Sequence, residues 1–256
     1  MKTLPSVPES LAQLKKPPKT LFYQGNIDLL KKRKVAIVGS RRASTYAKNM
    51  TFEIAKALKD AGLTVVSGAA MGIDAYAHKG AFPSTIAVMG NSLDLKVPAI
   101  NKGLIESIEK EALVLSEYSK TTHPTRYSFV QRNRIVVGLC EAVILSEADL
   151  NSGTMRSAEY ALKIGIPIYV LSHRSGESLG TQMLLESGQA NLITSTDDFI
   201  KSLGFKKETV TTQDELLSFC QKQPTYEETV ALFKEKLFEY ELLGKVEVIN
   251  GRVVVA

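Results

Sequence analysis

The chain has 256 residues, 44% of them apolar and 23% charged, with a net charge of +5. That length fits one large domain and one small one, and the balance is that of a folded globular protein. No apolar run reaches the ~18 residues of a membrane span, and the opening Met1-Lys2-Thr3-Leu4-Pro5-Ser6 lacks the apolar stretch of a secretion signal.

Two distant cysteines, Cys140 and Cys220, and three histidines, His78, His123 and His173, have neither a disulfide framework's spacing nor that of a zinc site. A cytoplasmic protein with reduced cysteines and no metal is therefore expected.

Residues 1–33 read as an irregular extension containing Pro17-Pro18, expected to dock on the main domain. Eight of the first 34 residues are Lys or Arg and two are acidic. Lys34-Val-Ala-Ile-Val38 is a buried-strand run, and a helix follows over about 44–60. Leu63-Thr-Val-Val-Ser67 is the next strand, with a helix over about 72–80. Thr85-Ile-Ala-Val-Met89, a helix near 101–110 and Ala112-Leu-Val-Leu-Ser116 come next. Ala142-Val-Ile-Leu-Ser146 precedes a helix from Thr154 to about Ile164, and Ile166-Pro-Ile-Tyr-Val-Leu171 follows. Leu192-Ile-Thr194 is an edge-strand candidate.

Continuous apolar strands alternating with helices predict an α/β fold: an extended, Rossmann-like, mostly parallel sheet over 34–207 with helices on both faces. Such sheets place ligands beyond the carboxyl ends of their strands. In the tail, Thr212-Gln-Asp-Glu215 and Thr225-Tyr-Glu-Glu228 fit capping boxes, the second opening a helix to Leu243 with Gly244 as its stop. Val246-Glu-Val-Ile249, Asn250-Gly251 and Arg252-Val-Val-Val255 read as a hairpin. A small, net acidic, winged-helix-like domain over 208–256 is expected.

The chemistry gathers at the strand ends. Gly39-Ser40-Arg41-Arg42 keeps only the first glycine of a dinucleotide fingerprint, so no NAD or FAD is expected. What remains is a tight turn presenting arginine, whose planar fork suits phosphate; a surface arginine capping the sheet is the alternative. Ser67, Gly68 and Ala69 let backbone approach a ligand, although small residues also serve helix packing. Asp74 and His78, just beyond, read as structural. Asn151-Ser152-Gly153-Thr154 opens a helix with hydroxyls and amides suited to an anion.

Arg126 and Phe129 precede a helix carrying Arg132, Asn133 and Arg134, within a stretch, 120–134, that has no acid. Positions 126, 129 and 133 share a side if that helix extends back far enough. Phe129 is either core or a stacking platform for a base. At least one of Arg132 and Arg134 is expected to pair internally, with Glu117 as a candidate. A polyanion carrying bases, single-stranded nucleic acid, fits this combination. No Walker loop, paired metal-binding carboxylates or nucleophile elbow is present, which argues against an ATPase, nuclease or hydrolase of those kinds.

Gly39-Ser-Arg41, Ser67-Gly-Ala-Ala-Met-Gly-Ile-Asp-Ala-Tyr-Ala-His78, Gln131-Arg-Asn-Arg-Ile135 with Gly138-Leu139, and Ser152-Gly-Thr154 together resemble the DprA/Smf DNA-processing proteins over roughly residues 20–200. The resemblance implies a non-enzymatic, homodimeric single-stranded DNA binder. Such a protein protects incoming strands and loads RecA during natural transformation, with other competence proteins as further partners through the tail. It also implies that Arg41 and Arg126 contact phosphate, that Ser67, Gly68 and Ala69 present amides, that Phe129 stacks on a base, and that Ser152, Gly153 and Thr154 line the same groove. The rival is a nucleotide phosphoribohydrolase of the lysine-decarboxylase-like type, for which Glu159 stands two residues later than the catalytic motif requires.

Overall fold

The structure, a computed structural model, describes residues 2–205, 215–220, 222–242, 244–249 and 251–255. The chain divides into two compact units, Met1–Lys207 and Glu208–Ala256. The larger is built on a nine-stranded sheet: β1 (Lys2–Thr3), β2 (Phe22–Gly25), β3 (Lys34–Val38), β4 (Thr64–Ser67), β5 (Thr85–Met89), β6 (Leu113–Ser116), β7 (Ala142–Leu145), β8 (Ile168–Leu171) and β9 (Asn191–Ile193). Across the sheet the order is β1-β2-β6-β5-β4-β3-β7-β8-β9. The seven strands from β6 to β9 are parallel, while β1 and β2 run antiparallel at one edge.

Alternate residues of each strand face opposite ways, so both faces of the sheet are apolar. Val35, Ile37 and Val65 pack against Ile54 and Leu58 of α1 (Thr45–Asp60), Ile73 and Ala77 of α2 (Ile73–Ala81), and Phe199 of α7 (Thr196–Ser202). Ala36, Val38, Val66 and Val88 face the other side. There they meet Ile105 of α3 (Lys102–Glu111), Ile135 of α4 (Arg126–Gly138), Ala158 of α5 (Gly153–Ile164) and Leu184 of α6 (Leu179–Glu186).

The first 33 residues differ from the irregular extension expected of them. Phe22–Gly25 pairs with β6, Phe22 opposite Ser116, and Lys2–Thr3 pairs with β2 in turn. Leu4, Leu11, Leu14, Leu21 and Leu29 are buried in the same core as α4. Lysines and prolines separate these leucines at neither strand nor helix period, which hides their role in the sequence. Leu11 and Leu14 press on Gly138, where an added Cβ would stand 2.9 Å from Leu11 Cδ2.

In the smaller unit α8 (Glu215–Cys220), α9 (Tyr226–Phe233) and α10 (Glu235–Leu242) precede a hairpin of β10 (Val246–Ile249) and β11 (Arg252–Val255). Leu216, Cys220, Leu237, Val246 and Val253 form its core. The Thr225/Glu228 capping box is formed. The helix expected to run on to Leu243 is instead broken at Lys234, which takes a positive φ of 41°. Thr212, Leu243 and Asn250 lie outside the described residues.

Candidate nucleic-acid interface

From β3 the chain steps outward through β4 and β5 to β6, then returns so that β7 pairs along the other flank of β3. The segments leaving β3 and β7 diverge, and sheets of this kind open a ligand crevice where they do. Here the cleft has a volume of about 520 Å³. Gly39, Ser40, Arg41 and Arg42 wall one side, and Arg126, Phe129, Val130 and Asn133 of α4 another. Asp149, Ser152, Gly153, Thr154 and Ser157 line it as well, and Val38, Ala70, Asp74 and Arg132 complete the lining.

The turn after β3 is held from below. Ser40 N donates to Glu147 O at 2.9 Å, and Ser44 donates to the Glu147 carboxylate through its amide (3.0 Å) and its hydroxyl (2.6 Å). The N-terminus of α1 is thus closed by an internal carboxylate, and the turn lifts Arg41 and Arg42 into solvent. Nothing in the sequence around Glu147 marks this role.

Gly72 fits beneath the same turn with φ 74° and ψ −130°, a backbone region that side chains avoid. A Cβ there would sit 2.4 Å from Ser40 O and 2.7 Å from Arg41 O. Gly72→Ala is expected to cost about 1–3 kcal/mol and to displace Arg41. Urea unfolding checks the first effect and oligonucleotide titration the second.

Helix α4 starts earlier than Phe129. Thr125 and Ser128 form a reciprocal cap, each side chain accepting the other's amide. Arg126, Phe129 and Asn133 therefore lie on one face at helical spacing, and all three line the cleft. Phe129 is half-buried, with the Arg41 guanidinium 5.4 Å from its ring centroid. Gly90 lets the ring approach, since a Cβ there would meet Phe129 Cδ1 at 2.8 Å. Across the cleft Ser152 caps α5 by accepting from Met155 N, and Asn133 Nδ2 donates to Gly153 O at 3.3 Å. The amides of Gly153 and Thr154 belong to a first turn that has no intrahelical acceptors.

Four residues expected to touch nucleic acid have other duties. Arg132 is 3% exposed. Its Nη1 donates to the carbonyls of Gly68 and Val88, at the ends of β4 and β5, and its Nε to Asn133 Oδ1. Burial lowers its pKa to about 10 against the opposing pull of Asp74. Arg134 also pairs internally, bidentate to Glu117 at 2.9 and 2.6 Å. In a basic run, residue type alone does not separate a buried guanidinium from an exposed one.

Ser67, Gly68 and Ala69 are buried behind the cleft rather than lining it. Ser67 Oγ donates to Ile37 O at 2.6 Å, and Gly68 sits against the Arg132 guanidinium. Ala69, at φ 58°, gives its amide to His78 Nε2 at 3.2 Å. Asn101 Nδ2 donates to the carbonyls of Ala69 and Ala70, a brace that sequence reasoning missed.

Since His78 Nε2 accepts, its proton is on Nδ1, which donates to Thr85 Oγ1 at 2.7 Å; Thr85 donates on to Val65 O. Burial, with Arg132 nearby, lowers the His78 pKa to about 3. Asp74 accepts from Ala70 N at 3.3 Å; burial raises its pKa and Arg132 opposes that rise. Glu159 is not part of the cleft lining, and its carboxylate pairs with Arg156 at 2.8 Å. Among the described residues no His/Cys/Asp/Glu cluster could hold a metal, and no helix is long and apolar enough to cross a membrane.

Residues 2–204 match the family of DNA recombination-mediator protein A. The chain belongs to the DprA/Smf family. It is 39% identical over 203 residues to the DNA processing protein DprA of Streptococcus pneumoniae, covering 77% of this chain and 71% of that one. It is 37% identical to the Smf protein of Synechocystis, over 78% of this chain and 52% of the relative.

The solved structure of DNA processing protein A from Helicobacter pylori, described for its single-stranded DNA binding mode, superposes with a TM-score of 0.78. Its identity is 43%, with 79% of this chain and 94% of that one covered. The pneumococcal DprA structure gives 0.73 at 38% identity, over 78% and 71%. The DprA/Smf match thus spans the larger unit, and the chain covers about half of several longer relatives.

Proposed function

We propose that this chain binds single-stranded DNA in the cleft between the ends of β3 and β7. Arg41, Arg42 and Arg126 hold phosphates there together with the N-terminus of α5, and Phe129 stacks on a base. The observation that carries this is one cleft uniting three exposed guanidiniums, a half-buried ring beside one of them, and the capped start of a helix. Cations that track the backbone beside an aromatic platform suit a strand without strong sequence preference. The Helicobacter relative's single-stranded DNA binding points the same way.

On this reading the protein acts in the cytoplasm as a mediator without a catalytic step, pairing as a homodimer and delivering the strand to a RecA recombinase. Two copies would hold two DNA segments and gain affinity through avidity. The smaller unit, read as winged-helix-like, serves a protein partner.

The test is fluorescence anisotropy of labelled oligo-dT at two salt concentrations. Arg41→Ala is expected to lower affinity by about 1.5–3 kcal/mol, the range for a charged hydrogen bond, and to flatten the salt slope by about one unit. Phe129→Ala should cost about 1–3 kcal/mol per stacked base. Since the two side chains touch, the double variant should lose less than their sum. Wild-type protein that ignores oligo-dT would overturn the proposal.

A further inference from the structure

Helix α4 carries two polar faces, and only one belongs to the cleft. Arg126, Phe129 and Asn133 line the cleft, while Tyr127, Gln131 and Arg134 share the neighbouring face at helical spacing. Tyr127 is 66% exposed, and its hydroxyl accepts from Gln131 Nε2 at 2.8 Å, which steadies the ring in solvent. Arg134 ties this face to the N-terminal segment. Its Nε donates to Lys16 O at 2.9 Å, and its fork holds Glu117.

That segment is anchored at both ends, since Leu14 and Leu21 are buried in the core. Between them Lys15, Lys16 and Lys19 are exposed and join no ion pair among the described residues. Lys19 lines a groove of about 400 Å³, with Pro17, Pro18 and Phe22 on one side and Glu117 and Ser119 on the other. Phe22 stands opposite Ser116 at the carboxyl end of β6, so the groove opens on the same edge of the sheet as the cleft. Helix α4 spans the interval, because Phe129 packs on Gly90 just beyond β5. The groove's own acid, Glu117, is already matched by Arg134. Lys120 is exposed too, but has Asp94 as a neighbour.

We propose that this groove is a second station for the same strand. Single-stranded DNA leaving the cleft past Arg126 crosses Tyr127, which stacks on a base, and lays its phosphates on Lys15, Lys16 and Lys19. Anchored cations beside an exposed ring suit a sugar-phosphate backbone with unstacked bases. An acidic polypeptide would meet the same lysines, but Arg126 and Tyr127 are adjacent, and this continuity with the arginine rim favours one strand spanning both surfaces. The proposal rests on the single-stranded DNA reading and extends it from one cleft to a path along the sheet edge.

The experiment compares strand lengths. Oligo-dT of about 4 and of about 16 nucleotides, spanning ordinary site sizes, is titrated into wild type, the triple variant Lys15→Gln/Lys16→Gln/Lys19→Gln, Tyr127→Ala and Tyr127→Phe. The triple variant should bind the long strand about 10-fold more weakly and the short one as wild type does. Its salt slope on the long strand should flatten by about two units, at about 0.7 per phosphate. Tyr127→Ala should lose about 5-fold or more on the long strand alone, and Tyr127→Phe nothing. Equal losses on both strands, or none on either, overturn the second station while leaving the cleft standing. So does a triple variant that keeps oligo-dT binding but loses poly-glutamate binding, which gives the surface to an acidic polypeptide. Failure of wild type to bind oligo-dT removes both readings.

Discussion

Replacing Arg132 by alanine is expected to cost the larger unit about 3–5 kcal/mol, the range for breaking a buried charged network. The guanidinium joins the carbonyls of Gly68 and Val88, two neighbouring strand ends, in a place sealed from water. Its loss orphans both acceptors, leaves a void under Gly68, and takes the nearest cation from buried Asp74. Arg132→Lys keeps the charge but replaces a planar fork with a point charge that cannot span both carbonyls in the same way, so an intermediate loss is expected. Urea unfolding of the three proteins checks this. A wild-type midpoint in Arg132→Ala would show that the guanidinium holds nothing. Arg41→Ala should behave in the opposite manner, with stability unchanged and DNA binding reduced, because Arg41 is exposed. Two arginines on one cleft thus separate into a foundation and a contact.

Acid should unfold this protein through His78. The folded-state pKa of about 3 lies below the ordinary 6.5, so the unfolded chain binds the proton more readily. Stability is then full above pH 6.5 and declines as the pH falls toward 3. At pH 5 the loss is about 2 kcal/mol, from 1.36 kcal/mol per pH unit below 6.5. Asp74 has the opposite sign, since its raised pKa means that protonation relieves a buried charge; this offsets part of the loss nearer the carboxylate range. The consequence is local as well as global. A proton on His78 Nε2 would face the Ala69 amide that now donates to it, at the positive-φ turn beneath the cleft. Urea midpoints from pH 7.5 to 4.5 should fall steadily below 6.5, while the His78 imidazole of the folded protein shows no NMR titration in that range. A flat stability profile would rule this out.

Six of the seven parallel strands were legible because each is a largely apolar run bounded by turns, the pattern of a sheet covered on both faces, while β9, three residues long and mostly exposed, gave only an edge-strand candidate. The antiparallel edge was not, because Phe22–Gly25 is short and half-exposed, and the leucines around it follow no period. The start of α4 was obscured in a similar way. Its first turns are polar, and its buried residues Ile135, Val136 and Val137 stand side by side rather than on a stripe. At the site, Arg41, Arg126, Phe129 and Ser152–Thr154 are exposed or half-buried for the most part, so residue type and position at a strand end or helix start carried their meaning. The internal bonds of Arg132, which lines the cleft, and of the Ser67–Ala69 turn behind it were not legible because they are tertiary. Only the fold shows that the Ala69 amide is spent on His78 and the Gly68 carbonyl on Arg132. Glu147 carried no signal, since it closes the start of α1 from the segment that follows β7.

The central pairing of β3 with β7, Val35 opposite Ala142, joins segments from distant parts of the chain. During synthesis β3, β4, β5 and β6 leave the ribosome first and can form a half-sheet, with β2 laid against β6. At that stage one flank of β3 is bare and the cleft has a single wall. Arg41 then stands on a turn whose support, Glu147, has not yet been made. A ribosome-bound chain stalled before β7 should therefore be partly folded yet unable to grip a strand. On the proposed reading, the grip on a strand waits for β7 and the segment that follows it.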